Sequence, residues 1–329
     1  MLKVFETAEE LKEAERLTSD SIFLLPIHYS IRHERLGVYP EAQCAIFGYP
    51  EKKPFIWMVI RRNKFTRHLI LVKKTGAAEK SKEEGGVYEF LKIMDDGEMM
   101  AHVFVCSRTQ RFVDVDDIDA FLIHAVPHLL KLDQFAARIL GIHLSSRMTE
   151  LLSTHFDFSA PSYLSSYFII DKHKQRQIIG MDIKLAEGYS FLELDPKRHA
   201  DTIASCWKFS THGERDQFEA KIRRLPSVGV QSRDGTLVSF TVLDASGFFN
   251  NQFTFVEHRQ RGLADRSELK LCQKVISFGL HPMKFVEHEN TAVLDRSCRS
   301  KWWSTVNDET GIPVINDHRV VYRRITSHL

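Results

Sequence analysis

The amino-acid sequence predicts a two-domain α/β (α+β) protein, and three observations carry that prediction. The chain has 329 residues, more than one compact core usually needs, which suggests about two domains. Its β-like runs are short and bounded by Pro, Gly, Asn and charged clusters, the punctuation of strands. In the second half the elements alternate as β-α-α-β-β-β-α-β-α-β. That order describes a mixed sheet with an antiparallel front and a βαβ unit behind it.

Thr7-Ala8-Glu9-Glu10 reads as a capping box that starts the first helix. "CAIFGY" (44–49), "FIWMVIR" (55–61) and "HLILVKK" (68–74) are expected strands, whereas "KKTGAAEKSKEEGG" (73–86) has no apolar period and reads as a solvated loop. "MMAHVFVCS" (99–107) is a further strand, followed by helices around Ile118–Leu132 and Ser145–His155. "SYFIID" (166–171) closes this half. The polar run "KHKQRQ" (172–177) puts the domain boundary between about 172 and 186, giving domains of 1–180 and 181–329.

In the second domain "YSFLEL" (189–194) leads through Asp195-Pro196 into a helix ending near Trp207, and another helix covers about 215–225. "SVGVQS", Arg233-Asp234-Gly235 and "TLVSFTVLD" form a hairpin with a Gly-containing turn. A strand over 249–257 runs into an amphipathic helix from Asp265 to Gly279, with Pro282 just beyond. "KFVEHE" (284–289), a short helix and a final strand, "HRVVYRR" (318–324), complete the chain. No repeat of fixed period is present.

Composition narrows the function classes. With 43 % hydrophobic and 27 % charged residues the chain is an ordinary globular protein, not a disordered one. A net charge of +2 gives little whole-molecule attraction to nucleic acid. The five cysteines (Cys44, Cys106, Cys206, Cys272, Cys298) are scattered without CxxC spacing, so neither a disulfide framework nor a metal site is expected. No apolar run approaches the roughly 18 residues of a membrane span. The start, "MLKVFETAEELKEAERL", is acidic and lacks the marks of a secretory or transit peptide, so a soluble cytoplasmic protein is expected.

The stretch with most chemical content is "VEHRQRGLADRSELKLC" (256–272), which joins a strand to a helix N-terminus. The first amides of a helix lack intrahelical partners, and its dipole puts about half a positive charge there. Gly262 and small Ala264 would let a phosphate approach those amides, and Arg259 and Arg261 add charge. The plain alternative is a polar turn in which Gly262 only supplies an unusual dihedral.

"VEHRQRGLA" resembles the acetyl-CoA-binding signature of the GNAT superfamily, Q/R-x-x-G-x-G/A between a strand and a helix. "CWKFSTHGERDQFEAKI" (206–222), "LDASGFFNNQFTFVEHRQRGLA" (243–264) and "HENTAVLDRS" (288–297), with its asparagine at Asn290, resemble successive blocks of the glycine N-acyltransferase family. The resemblance covers about 190–324. Residues 1–170 match that family's N-terminal domain only in length and pattern, as a degenerate related α/β unit would.

The resemblance implies a GNAT-type acyltransferase domain. It also implies an acyl-CoA or acetyl-CoA co-substrate and an acceptor that is glycine or another small amine. Pantetheine would pair with the strand around Phe255 and Val256. The pyrophosphate would lie on His258, Arg259, Gln260, Arg261, Gly262, Leu263 and Ala264, with Asn290 nearby. The family also adds the mitochondrion as an alternative compartment. A catalytically inactive acyl-CoA-binding or interaction protein is the competing expectation.

The chain departs from the family twice. Where glycine N-acyltransferases carry a glutamate base this sequence has Phe248, and where many GNAT proteins carry a tyrosine acid Cys298 stands nearby. Asp244, Glu257, His258 and His212 are the nearby titratable groups, each read as an ordinary turn or surface residue. The string His212-Gly213-Glu214-Arg215-Asp216, the histidines His281 and His288, and the basic run 59–74 carry no assignment. Trp302 and Trp303 are read as packing residues rather than an acyl pocket.

Overall fold

The computed structural model describes residues 1–65, 101–110, 114–158, 162–207, 210 and 213–324. The expected strand 68–74, the loop 73–86 and His212 lie outside them.

Strand β1 (Lys3–Phe5) precedes α1 (Ala8–Thr18), whose capping box closes as expected: Glu10 N donates to Thr7 Oγ1 at 3.3 Å and Thr7 N to Glu10 Oε2 at 2.9 Å. Helix α2 (Leu25–Leu36) follows, then strands β2 (Ala42–Tyr49), β3 (Ile56–Asn63) and β4 (Ala101–Ser107). Next come α3 (Val115–Leu129), β5 (Gln134–Leu140), α4 (Ile142–Leu152), β6 (Phe156–Phe158) and β7 (Tyr163–Ile169). The polar run at the expected boundary is itself helical, α5 (Lys172–Ile179), because Asp171 caps it by accepting from Lys174 N at 2.9 Å.

The second half holds β8 (Tyr189–Leu192), α6 (Pro196–Ser205), α7 (Glu214–Arg224), β9 (Ser227–Ser232), β10 (Leu237–Leu243) and β11 (Phe249–Thr254). Helix α8 (Leu263–Ser277), β12 (Met283–Glu287), α9 (Thr291–Arg299), β13 (Ser304–Thr305) and β14 (Ile315–Arg323) end it. The expected strand 249–257 stops at Thr254, and Val256–His258 is a single tight helical turn.

All these strands join one sheet of 14 strands, in the order β1-β2-β3-β4-β5-β14-β7-β12-β11-β10-β9-β8, with β6 on β14 and β13 on β7. The order shows two copies of one pattern that exchange their last strands. In the first copy β4 and β5 run parallel around α3, and β14 fills the place between β5 and β6. In the second, β11 and β12 run parallel around α8, and β7 fills the place between β12 and β13. The exchanged strands also pair with each other, from Ile315↔Ser166 to His318↔Tyr163. Each half therefore completes its sheet with the other's backbone. The main core accordingly draws on both, joining Leu24, Ile27 and Trp57 with Leu271, Val286 and Trp303.

Helix α2 adds a second seam. Tyr29 Oη accepts from His281 N at 2.6 Å, Arg32 donates to Gly279 O at 2.7 Å, and Ser30 Oγ donates to Ser246 Oγ at 3.0 Å. The Tyr29 ring lies so close to Gly247 that a Cβ there would meet it at 2.7 Å.

Candidate functional site

The two copies differ where a parallel pair can open. Strands β4 and β5 stay paired from Ala101↔Phe135 to Cys106↔Leu140. Strands β11 and β12 share a single pair, Phe249↔Lys284, and then diverge. The cause lies in β11. Against β10 its register runs Leu243↔Phe249 and Val242↔Asn250, then Phe240↔Phe253, so Asn251 and Gln252 together oppose Thr241. That extra residue is a β-bulge, with Asn251 at φ +47°, a left-handed conformation asparagine tolerates. A bulge bends its strand, and here it leaves the edge beyond Phe249 unpaired on the side of β12.

A cleft of about 410 Å³ fills the gap. Its walls include Phe249 to Phe253 on β11, Phe285 to Glu287 on β12, Trp207 after α6, and Asn290 and Val293 at the start of α9. Glu268 and Lys284 also line it as a buried ion pair at 2.7 Å. Trp303 Nε1 donates to Glu268 at 2.8 Å, and the Lys284 ammonium lies 4.2 Å from the Trp303 ring centroid. Trp303 thus packs beneath the cleft, as a core residue would.

The loop after β11 leads from the cleft to α8. Gln260 (φ +59°) and Gly262 (φ +69°) are both left-handed, and Gly262 is the N-cap of α8. A Cβ at Gly262 would meet nothing within 4 Å, so the glycine serves the dihedral rather than relieving a crowded approach. No side chain caps α8, which leaves its first amides available to an anion. Arg259, Gln260, Arg261 and Gly262 are all exposed. Arg259 Nε donates to Thr254 O at 2.9 Å, and the Arg261 guanidinium lies 5.8 Å from the Tyr189 ring centroid. Tyr189 Oη in turn shares a 3.0 Å hydrogen bond with His258 Nδ1. Leu263 is buried, and Ala264 O accepts from Gln252 Nε2 at 2.8 Å, tying the first turn of α8 to the bulge.

Phe255 and Val256 lie just beyond the end of β11. Phe255 N donates to Val238 O at 3.0 Å and Phe255 O accepts from His258 N at 2.9 Å, so both backbone groups are engaged. Val256 is 65 % exposed. The unpaired strand edge lies upstream, at 250–253.

The titratable residues near the cleft sort by their partners. Asp244 closes the turn after β10 and is buried against Arg61 (2.8 and 3.2 Å) and Lys221 (3.7 Å). Burial works to raise its carboxyl, but those two cations outweigh it and hold the group well below the usual carboxylate range. It stays ionised and engaged. Glu257 is exposed on the tight turn and His258 is held by Tyr189. Asp216 pairs with Arg215 on the surface at 2.9 Å, away from any catalytic arrangement. Phe248 is 4 % exposed, with its ring 5.4 Å from that of Phe285 and the Arg138 guanidinium 5.2 Å from its centroid. Cys298 is exposed on α9. Among the described residues no group of three or more His, Cys, Asp or Glu could hold a metal ion. No helix among them is long and apolar enough to cross a membrane.

The overall fold is similar to that of solved structures. A Drosophila protein known from its X-ray structure is similar over 98 % of both chains at 10 % identity, with a TM-score of 0.66. A tandem GNAT protein from the clavulanic acid biosynthesis pathway is similar over 98 % of both chains at 10 % identity, with a TM-score of 0.52. The fold is that of a tandem GNAT protein. No protein-family model matches the chain, and no curated protein does.

In this fold the two parallel pairs are topological counterparts, one opened and one closed. Asn251 and the unpaired edge 250–253 were missed from the sequence. The Asn-Asn pair at 250–251 inside a strand-like run was the available signal, since two turn-favouring residues there are a mark of a bulge.

Proposed function

We propose that the cleft between β11 and β12 binds an acyl-CoA. The protein then acts as an acyl-CoA-dependent N-acyltransferase, passing the acyl group to glycine or another small amine. The observation that carries this reading is the bulge-driven opening of one parallel pair, continuous with an uncapped helix N-terminus.

In this reading pantetheine lies along the free edge of β11 from Asn250 toward Phe255 and Val256. The pyrophosphate rests on the loop of His258, Arg259, Gln260, Arg261 and Gly262, against the amides of Leu263 and Ala264. Asn290 lines the far wall. The amine attacks the thioester carbonyl carbon, the C–S bond breaks, and CoA leaves as the thiol with a proton from the amine. Strand-edge amides stabilise the carbonyl oxygen as charge develops on it, and such preorganised donors often account for most of the rate enhancement in acyl transfer. Holding both reactants in one cleft supplies the rest through proximity.

Phe248 favours a second reading, an acyl-CoA-binding protein without turnover, because a buried phenyl ring takes no proton. One assay separates them: thiol release from acetyl-CoA with a panel of small amines, beside calorimetric CoA binding. Amine-dependent thiol release supports the transferase, and saturable binding without release supports the second reading. Absence of binding by CoA and acetyl-CoA overturns both.

A further inference from the structure

Arg138 is the odd residue of β5. Every other residue of that strand is buried, while Arg138 is only half-buried. Among the described residues no hydrogen bond or ion pair reaches its guanidinium, whose one close partner is the face of Phe248 at 5.2 Å. Arg61, on the same face of the sheet, shows what a structural arginine looks like here: it grips Asp244 with two nitrogens and Ser246 with one of them. Asp244 and Glu287 act on Arg138 only through their fields, and burial pulls its pKa down. A partly desolvated cation without a hydrogen-bonded partner is costly, so a site that keeps one has a use for its fork of donors.

The register shows what surrounds it. Arg138 pairs with His318 on β14, and His318 pairs with Tyr163 on β7, so all three share one face at the seam where the halves exchange strands. His102 on β4 lies one pair away, opposite Ala136. Burial, with Arg61 and Arg138 nearby, pushes His102 down to about 3, and His318 lies well below its ordinary value. Both imidazoles are neutral at physiological pH and add hydrogen-bonding capacity, leaving the charge to Arg138. Arg138 does not itself line the cleft and connects to its wall through one ring. Phe248 stands between Arg138 and Phe285, a cleft wall, and Glu287 lines that wall while its charge reaches Arg138.

We propose that Arg138 binds the carboxylate of the acceptor, so that the N-terminal half supplies the specificity residue for a cleft built by the C-terminal half. This inference rests on the acyltransferase reading for the reaction, and commits to an amine that also carries a carboxylate. The planar guanidinium matches a carboxylate with two parallel hydrogen bonds, and the Phe248 ring holds it flat. The amine would then point along the Phe285 and Glu287 wall toward the thioester.

Two measurements test it separately from the transferase reading. Calorimetry with N-acetylglycine and N-acetylglycinamide reads carboxylate recognition without turnover. The parent should bind the acid at least about tenfold more tightly than the amide, Arg138→Gln should lose that difference, and Arg138→Lys should keep part of it. CoA affinity should be the same in all three, which also reports that the variants fold. Equal affinity of the parent for acid and amide, or an unchanged preference in folded Arg138→Gln, overturns the proposal whether or not turnover occurs. Where thiol release is measurable, Arg138→Gln should raise KM for glycine about tenfold or more and leave KM for glycinamide unchanged. A uniform fall in kcat with both amines would mark Arg138 as merely structural and overturn the assignment.

Discussion

Glu214, at the first turn of α7, is 2 % exposed and held by Gln217 Nε2 at 2.8 Å. Burial raises its pKa from 4.5 to about 7, against the opposing pull of Lys221. A carboxyl raised on folding holds more protons in the folded state than in the unfolded one between those two values. Stability therefore falls as pH rises through that window, with no penalty below about 4.5 and the full penalty above about 7. Glu214→Gln keeps the shape and removes the charge. Its unfolding free energy from urea titration should match the parent near pH 4.5 and exceed it increasingly up to pH 7.5, by about 1–3 kcal/mol. Parallel pH profiles would contradict the shift. Residues of this kind are hard to read from a sequence, because Glu214 and Arg138 owe their properties to groups brought in by the fold, in the case of Arg138 across a strand exchange. That Arg259, Arg261 and Gly262 precede a helix N-terminus was legible because such a terminus is a local feature.

Among the elements, β11 decides the site. One extra residue turns a strand that would zip onto β12 into the wall of a cleft. Deleting Asn251 restores one-to-one pairing with β10. The deletion variant should keep its far-ultraviolet circular dichroism and lose at least about tenfold in CoA affinity. Unchanged affinity in a folded variant would show that the bulge does not open the site. Strands β2, β3 and β4 and the hairpin of β9 and β10 were legible from their apolar runs and turns. Helix α2 was missed because its buried residues, from Leu25 through Pro26, Ile27, Tyr29, Ser30 and Ile31 to His33, go round most of its circumference and give no amphipathic period. Strand β5 was missed for a related reason. "QFAARIL" is buried on both faces and rich in alanine, so it neither alternates nor favours strand by composition.

At the scale of the whole molecule the strand exchange is what joins the halves. The first half keeps its parallel pair closed and lends β7 to the second. The second half opens its own pair and lends β14 in return. The chain passes from one pattern to the other between β7 and β8, and one sheet runs through both. No sequence period announces the repeated topology. In the proposed function acyl-CoA occupies the opened pair and not its closed counterpart. Hydrogen–deuterium exchange with and without CoA tests it directly. CoA should slow exchange most in the amides of 250–254 and 260–265. Protection centred on 107–118 and 142–147, or none at either place, would contradict it.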